Sequence, residues 1–553
     1  MLSTDLFQRL SISTLIEIVG ERDLESIQDV LQLIDPQLYT GTVYTKGFLS
    51  NFAFQTVGYK YLNSSIGFQT IFNTLTVEEA RVVCGVDAPG SSKEDCLMIA
   101  LTHFRSDSAR RELFERMGFR FDWEAANVET DSQSSSITIS ASQYPYKQLK
   151  DYQFEVYIAA SEALKSDYER FILQMPTGSG KTRTAMEIIS NFLNSGPNTS
   201  VVWLAHSTEL CDQASLCFLE LAPHITSRDI FFQRSYGSYK MSREPSRKTD
   251  FLCLGFQTAY GAIDRDPSFF DDVLSDRRLI VIDEAHKAIA PTYQRVVKAI
   301  ESAPGTRIMG LTATPGRRYT EFNTENENAA LAQYFFEKIL SFNTSGEGAI
   351  RYLRDRGILA NAECETLIVN GSVSLTTSEL RRVSEALEIP PAVLEKIGTN
   401  SIRNAEILSK LKELAQSETT QSIILFAASV THSMLINSML NFLGIRAEHI
   451  DGTTPAKRRS DAINRFRRKE IRVLCNYEVL ATGFDAPKID CVFIARPTAS
   501  VVLFSQMIGR GLRGPAIGGT EKCLIVNVKD NFTNLPQVDK MYEVFEDYWK
   551  YSA

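Results

Sequence analysis

The sequence predicts an α/β protein built from two parallel-sheet lobes and preceded by a mostly helical N-terminal module. Three observations carry this. From residue 148 short apolar, β-branched runs (FILQM, VVWLAH, FLCLGF, LIVIDEAH, RIMGLTAT) alternate with helical segments, the pattern of strands buried on both faces by crossover helices. A second set (SIILFAA, AEHIDG, IRVLCN, CVFIARP, CLIVNV) begins near 422. Residues 1 to about 130 instead carry helical periodicity with few strand-like runs.

Taken in order, residues 1–130 form the helical module and 131–147 a linker, because NVETDSQSSSITISASQYP is rich in Ser and Thr. The module is therefore expected to be separable from the two lobes. Residues 148–345 form the first lobe. A linker and helical insert at 346–420 breaks at Pro390 and Pro391, and 421–553 form the second lobe.

Composition excludes several classes. At roughly 150 residues per domain, 553 residues allow three to four domains. With 44% hydrophobic and 23% charged residues the chain is an ordinary globular one. No apolar run approaches the roughly 20 residues that cross a bilayer, and MLSTDLFQRL does not resemble a secretion signal; the expected location is the cytoplasm. Nine scattered cysteines without a CxxC pair read as reduced, buried thiols, and no His/Cys cluster suggests a metal site. A net charge of -8 argues against binding nucleic acid by bulk electrostatics, while leaving room for a local basic groove.

The strongest local signal is QMPTGSGKT, 174–182, between a strand-like and a helix-like segment. A strand, a Gly-rich turn and a helix N-terminus aim backbone N–H groups at one point, where a polyphosphate can sit. Gly178 and Gly180 allow close approach around Thr177 and Ser179, Lys181 can reach the outer phosphates, and the Thr182 hydroxyl can ligand Mg²⁺. The generic pattern has a glycine where this chain has Met175. LIVIDEAH, 279–286, adds an apolar strand ending in adjacent acids: Asp283 can hold Mg²⁺ and Glu284 can orient and deprotonate the water that attacks the γ-phosphate of ATP.

With these two segments the chain resembles superfamily 2 DEAD/DEAH-type helicases, whose lobes are RecA-like, and the ordered motif set runs from 148 to 530. The resemblance implies that Gln153 of LKDYQ reads adenine. It places His206 of WLAHSTELCDQ and Thr258 of FQTAY on nucleic acid, and makes Thr312 and Thr314 of LTATP, together with His286, couple the two activities. In the second lobe it implies that Thr453 and Thr454 of HIDGTTP ligate phosphates. NYEVLATGFDAP would place Thr482 on nucleic acid and Gly483 and Asp485 near the ribose. SQMIGRGLRGP would turn Gln506, Arg510 and Arg513 to the ATP. Read from spacing alone, two arginines three apart on a helix share a face and suit multi-toothed contact with phosphate.

The wording ATGFDAP followed by SQMIGRGLRGP looks most like type I restriction motor subunits and related DNA repair translocases. The expectation is an ATP-dependent helicase or translocase using ATP and Mg²⁺ on nucleic acid, DNA ahead of RNA, in restriction, anti-phage defence or repair. Protein subunits of such a complex are possible partners, and a membrane is not one. The alternatives are an RNA helicase of the same architecture, or a nucleotide-dependent clamp without unwinding activity. In the N-terminal module, 75–104 distantly resembles a SAP-type DNA-binding motif, and Arg105, Arg110, Arg111, Arg116 and Arg120 could face phosphates; a packing or docking module is the plainer reading.

Overall fold

The computed structural model of the protein describes residues 3–34, 41–62, 64–85, 91–103, 107–118, 135–141, 148–166, 169–241, 247–266, 268–316, 325–344, 348–369, 375–379, 389–418, 420–454, 456–481, 488–498, 500–529 and 550–551. Among these, no helix is long and apolar enough to cross a membrane.

The first sheet contains β1 (Ser136–Ile139), β2 (Arg170–Gln174), β3 (Thr199–Ala205), β4 (Ile230–Ser235), β5 (Phe251–Gly255), β6 (Arg277–Asp283), β7 (Arg307–Thr312), β8 (Lys338–Leu340) and β15 (Lys550–Tyr551). Their order is β1-β4-β5-β3-β6-β7-β2-β8-β15. The second sheet contains β9 (Asn361–Ile368), β10 (Ile423–Phe426), β11 (Ala447–Ile450), β12 (Val473–Asn476), β13 (Cys491–Ile494) and β14 (Lys522–Lys529), in the order β11-β12-β10-β13-β14-β9. The pairings are parallel except β1 with β4. Both lobes thus have the expected architecture.

Three segments depart from the expected organisation. The Ser/Thr-rich stretch supplies β1, which pairs along β4 through Ser136–Gln233 to Ile139–Ile230; alternating SITI satisfies a sheet edge better than it serves a linker. The 346–420 insert supplies β9, joined to β14 over eight residue pairs. At the far end, β15 returns to the first sheet beside β8.

The larger departure concerns the module. Its helices Ser3–Gln8, Ile12–Val19, Glu21–Ile34, Lys46–Leu62, Ser65–Phe72, Val77–Cys84, Lys93–His103 and Asp107–Arg116 are not separate from the second lobe. Residue parity on β10 explains why. Ile424 and Phe426 join the core that runs from the first lobe across the cleft. Ile423 and Leu425 point the other way, into a core shared with Leu24, Ile27, Phe52 and Phe72 of the module and with Leu408 and Leu411 of helix Ser401–Gln416. The module is one of the layers that keeps the second sheet dry.

Within the module the expected helix, turn and helix of 75–104 become Val77–Cys84 and Lys93–His103. Arg116 is tied to Glu112 and to the Val83 carbonyl, so it braces the module. Arg105 and Arg120, and the side chains of Arg110 and Arg111, lie outside the described residues. Glu79 closes a capping box with Thr76 and accepts from both Arg9 nitrogens at 2.7 and 3.0 Å. The Arg9 hydrogen bonds, followed by the Thr76 amide, hold its carboxylate down at about 2.

Two testable outcomes come from this packing. Removal of residues 1–140 should yield an aggregating or non-cooperative chain, because it strips the module from the apolar face of the second sheet and β1 from the first; soluble yield and melting profile against the full chain check this. For Glu79 the folded pKa lies below the unfolded one, so its stabilisation is complete above about 4.5 and drains as pH falls toward 2. Glu79→Gln should cost about 1 kcal/mol at neutral pH, allowing for a partly exposed pair. The gap to wild type in urea denaturation should narrow across that acidic window.

Candidate functional site

The site begins with the turn between β2 and helix Lys181–Asn194. Gly178 and Gly180 have φ of 86° and 87°, left-handed values that side chains disfavour. They fold the turn back so that Gly180 caps the helix and Lys181 and Thr182 open it, where the helix dipole is positive. Ser179 is buried, its hydroxyl donating to the Pro176 carbonyl at 2.7 Å. Met175, in the place of the pattern's first glycine, is buried and its amide donates to the Thr312 carbonyl at 3.2 Å. The large side chain is accommodated in the core, so the departure leaves the turn intact.

Two side chains from helix Asp151–Lys165 brace the turn from behind. Tyr152 donates its hydroxyl to the Ser179 carbonyl at 2.7 Å, and Gln153 Nε2 donates to the same carbonyl at 3.1 Å while its Oε1 accepts from the Lys150 amide. Both ends of the Gln153 amide are therefore engaged within the protein here. Tyr152 had no signal in the sequence, since a tyrosine before that glutamine is an ordinary helix residue.

Facing the turn, β6 ends in Asp283 and Glu284, both buried. Glu284 sits at φ 53°, a strained conformation for a non-glycine residue that turns the chain as β6 ends. Burial, followed by the charge of Glu284, pushes Asp283 up to about 7, with Lys181 pulling the other way. Burial would raise Glu284 as well, but Lys181, His286 and His206 overcome it and hold that carboxylate below its ordinary value. One proton-prone and one ionised acid thus stand side by side. His206 and His286 are kept neutral chiefly by burial, at about 4 and about 3. The 3.4 Å approach of His286 Nδ1 to Glu284 is accordingly a contact of a neutral ring. His206 stands in this cluster, beside Lys287 and Glu284.

Thr312 and Thr314, at the end of β7, are buried against each other: Thr312 Oγ1 donates to the Thr314 carbonyl at 2.8 Å and accepts from the Thr314 amide at 3.2 Å.

The second lobe completes the cleft. Helix Val501–Ile508 ends at Gly509, so Arg510 and Arg513 lie beyond the helix and do not share one of its faces as their spacing suggested. Glycine packing is the reason. A Cβ on Gly509 would lie 2.6 Å from Thr177 Cβ, and one on Gly511 2.7 Å from Val492 Cγ2. Arg513 is instead held by a bridge to Leu359, with its Cγ 3.9 Å and Leu359 Cδ2 3.4 Å from where a Gly178 Cβ would be. Burial, then Arg467, lowers Arg513 to about 10, which leaves it charged at neutral pH. Arg510 Nε donates to the Gln506 carbonyl at 3.3 Å.

The remaining candidates lie away from the turn. Thr258 opens helix Phe256–Arg265, half-buried. Thr453 and Thr454 are spent on Asp451: both hydroxyls and both amides donate to its Oδ1 at 2.8 to 3.0 Å. Next to them Arg459 forms an ion pair with Glu209 of the first lobe at 3.0 Å and donates to the Asp451 carbonyl. That link joins residues 250 apart, which no local pattern reveals. Thr482, Gly483 and Asp485 lie outside the described residues.

Two family models and several known proteins match the chain. Residues 146–317 match the family model "Type III restriction enzyme, res subunit", and 406–514 match "Helicase conserved C-terminal domain". The chain is 24% identical over 373 residues to "Putative ATP-dependent helicase IRC3" of Saccharomyces cerevisiae, covering 66% of this chain and 49% of that protein. It is 26% identical over 400 residues to "Putative mitochondrial ATP-dependent helicase irc3" of Schizosaccharomyces pombe, covering 69% and 57%. With the type I restriction enzyme EcoKI endonuclease subunit of Escherichia coli it shares 20% over 435 residues, covering 72% of this chain and 36% of that one. The chain thus spans about half the length of the first relative.

The inter-lobe contact generates a prediction. Gly509 has helical φ and ψ that alanine also adopts, so Gly509→Ala should leave each lobe's own fold intact while lowering the melting temperature, because apolar packing between the lobes is lost. The added methyl collides with Thr177 and should hold the lobes apart, lowering any turnover in the cleft by about 100-fold. Steady-state ATP hydrolysis and a melting curve measured together check this; full turnover would mean that the observed packing is not the productive one.

Proposed function

From a chain that belongs to the superfamily 2 helicases and is related to restriction motor subunits, we propose an ATP-dependent translocase or helicase that acts on DNA and hydrolyses ATP between its two lobes. The observation that carries this reading is the seating of Gly509 and Arg513 on Thr177 and Gly178. It brings second-lobe arginine to the phosphate turn of the first lobe, so that a cleft competent for hydrolysis exists only with the lobes together.

Each residue then has a physical role. The amides of the turn and Lys181 hold the outer phosphates, at the positive end of a helix. Glu284, ionised because Lys181 and its neighbours offset burial, orients the attacking water and takes its proton. Arg510 and Arg513 meet charge that develops in the transition state. The residues also fit a divalent cation: Asp283 is a buried carboxylate whose charge Lys181 and the Glu284 amide offset only in part, and Thr182 lies one residue from Lys181. Asp283 and Thr182 would hold Mg²⁺, which would neutralise phosphate charge when bound. Gln506 supports the arginine segment, and Gly483 and Asp485 are assigned to the ribose side by motif.

His206, Thr258, Thr453, Thr454 and Thr482 are the proposed contacts to the nucleic-acid backbone, with Thr312, Thr314 and His286 between the two sites. Thr453 and Thr454 would have to exchange Asp451 for a phosphate. DNA is preferred to RNA on the wording of the second-lobe motifs and on the likeness to a type I restriction subunit. A role within a multi-subunit defence or repair complex follows the same likeness.

Lys181→Ala should abolish ATP hydrolysis, by about 100-fold or more, with a melting profile near wild type, because the turn is not core. Duplex DNA, single-stranded DNA and RNA compared side by side as activators of the wild-type ATPase should rank DNA first. Stimulation by RNA alone would replace DNA with RNA in this proposal, and normal turnover of the variant would remove the site assignment.

A further inference from the structure

Between the module and the second lobe lies a cavity of about 800 Å³, within the range of ligand sites. One wall is apolar and comes from the module, through Val19, Ile27 and Phe52; the opposite rim carries Thr453, Thr454 and Arg458. Two lining residues, His449 and Asp451, belong to a relay in which Ser433 Oγ lies 2.7 Å from His449 Nδ1 and His449 Nε2 lies 3.3 Å from Asp451. Its order is that of a hydrolytic triad, but Ser433 is fully buried and reaches no substrate, so the relay is structural.

Internal pairs leave only part of the lining for a ligand. Glu448 is paired with Arg465 at 2.7 Å, and Asp451 is spent on Thr453, Thr454 and His449. Asp23 and Glu395 receive no hydrogen bond from a described residue, and Asp23 is raised by burial and by the charge of Glu395. His432 is buried, and its Nδ1 accepts from the Ala428 amide; the ring proton therefore sits on Nε2, which has no partner among the described residues. The cavity thus offers two carboxylate acceptors, one buried N–H donor, an apolar wall and a cation at its rim.

We infer that this cavity receives an unstacked, amine-bearing nucleobase of a single strand whose phosphates lie outside on the Thr453–Arg458 rim. A phosphate inside would confront both Asp23 and Glu395, whereas an exocyclic amine donates to them. Where the side chains that cover it draw back, a ring acceptor can meet His432 Nε2–H, and the flat face of the base lies along the apolar wall. Thymine is disfavoured, since it presents a carbonyl and a methyl where cytosine presents its amine. The inference rests on the proposed nucleic-acid function and adds base preference to it, with the module as the specificity element.

The test uses the full chain and length-matched oligo(dC) and oligo(dT) at neutral pH, with binding and ATPase stimulation both measured. Wild type should prefer oligo(dC) by about tenfold. Asp23→Asn and Glu395→Gln, both at accessible positions where an amide both donates and accepts, should reduce this to within about twofold. Equal wild-type affinity with equal stimulation overturns the base site and leaves the motor reading standing. A preference that survives in both variants also overturns it. If neither strand binds or stimulates while Lys181 still governs ATP hydrolysis, the nucleic-acid reading falls and takes the cavity proposal with it.

Discussion

The architecture hangs on one close approach, the backbone of Gly509 against Thr177. No other residue type leaves room for it. Glycine at 509, 511 and 514 disfavours continuation of the helix past Ile508, and the segment closes in a turn instead, with Gly511 against Cys523 and Val492 and Gly514 on the Gly357 backbone. That turn lets Arg513 reach the Leu359 bridge beside Gly178. The result is a continuous apolar core running from Tyr152 and Met186 in the first lobe to Phe504 and Met507 in the second. Cohesion of the lobes and assembly of the phosphate site are therefore the same event.

The electrostatics at the end of β6 are set by burial and by first-lobe groups. Asp283 and Glu284 are adjacent and buried, an arrangement in which two full charges repel in a poorly screened setting. Lys181 relieves only part of this, which leaves Asp283 raised and Glu284 lowered. Such asymmetry gives two adjacent acids opposite shifts in proton affinity. It also explains why His206, which a motif-based view places toward nucleic acid, sits where it influences Glu284.

Much of this was legible because it is local. The phosphate turn, the acidic end of β6 and the alternation of strand and helix are each written within about a dozen residues, and they fold where the sequence puts them. What escaped is long-range or a matter of context. SITI in a Ser/Thr-rich stretch looks like a linker until β4 offers it an edge. The module looked detachable because helices such as Glu21–Ile34 are amphipathic in the ordinary way, and nothing in Leu24 or Ile27 states that their partners are Leu408 and Leu411. Arg510 and Arg513 have helical spacing, yet glycine packing, which depends on Thr177 and Val492, decides their geometry.

Among the described residues the lobes touch through contacts of opposite character. On the nucleotide side the contact is steric and apolar, so it resists small rotations until it separates. On the other side the Arg459–Glu209 pair is partly solvated, worth about 1 kcal/mol or less, and anchored through Arg459 to the carbonyl of Asp451. Asp451 in turn holds the amides and hydroxyls of Thr453 and Thr454. An anion arriving at those threonines would compete at once for Arg459 and for the groups now spent on Asp451. It would thereby weaken the softer inter-lobe contact without touching the harder one.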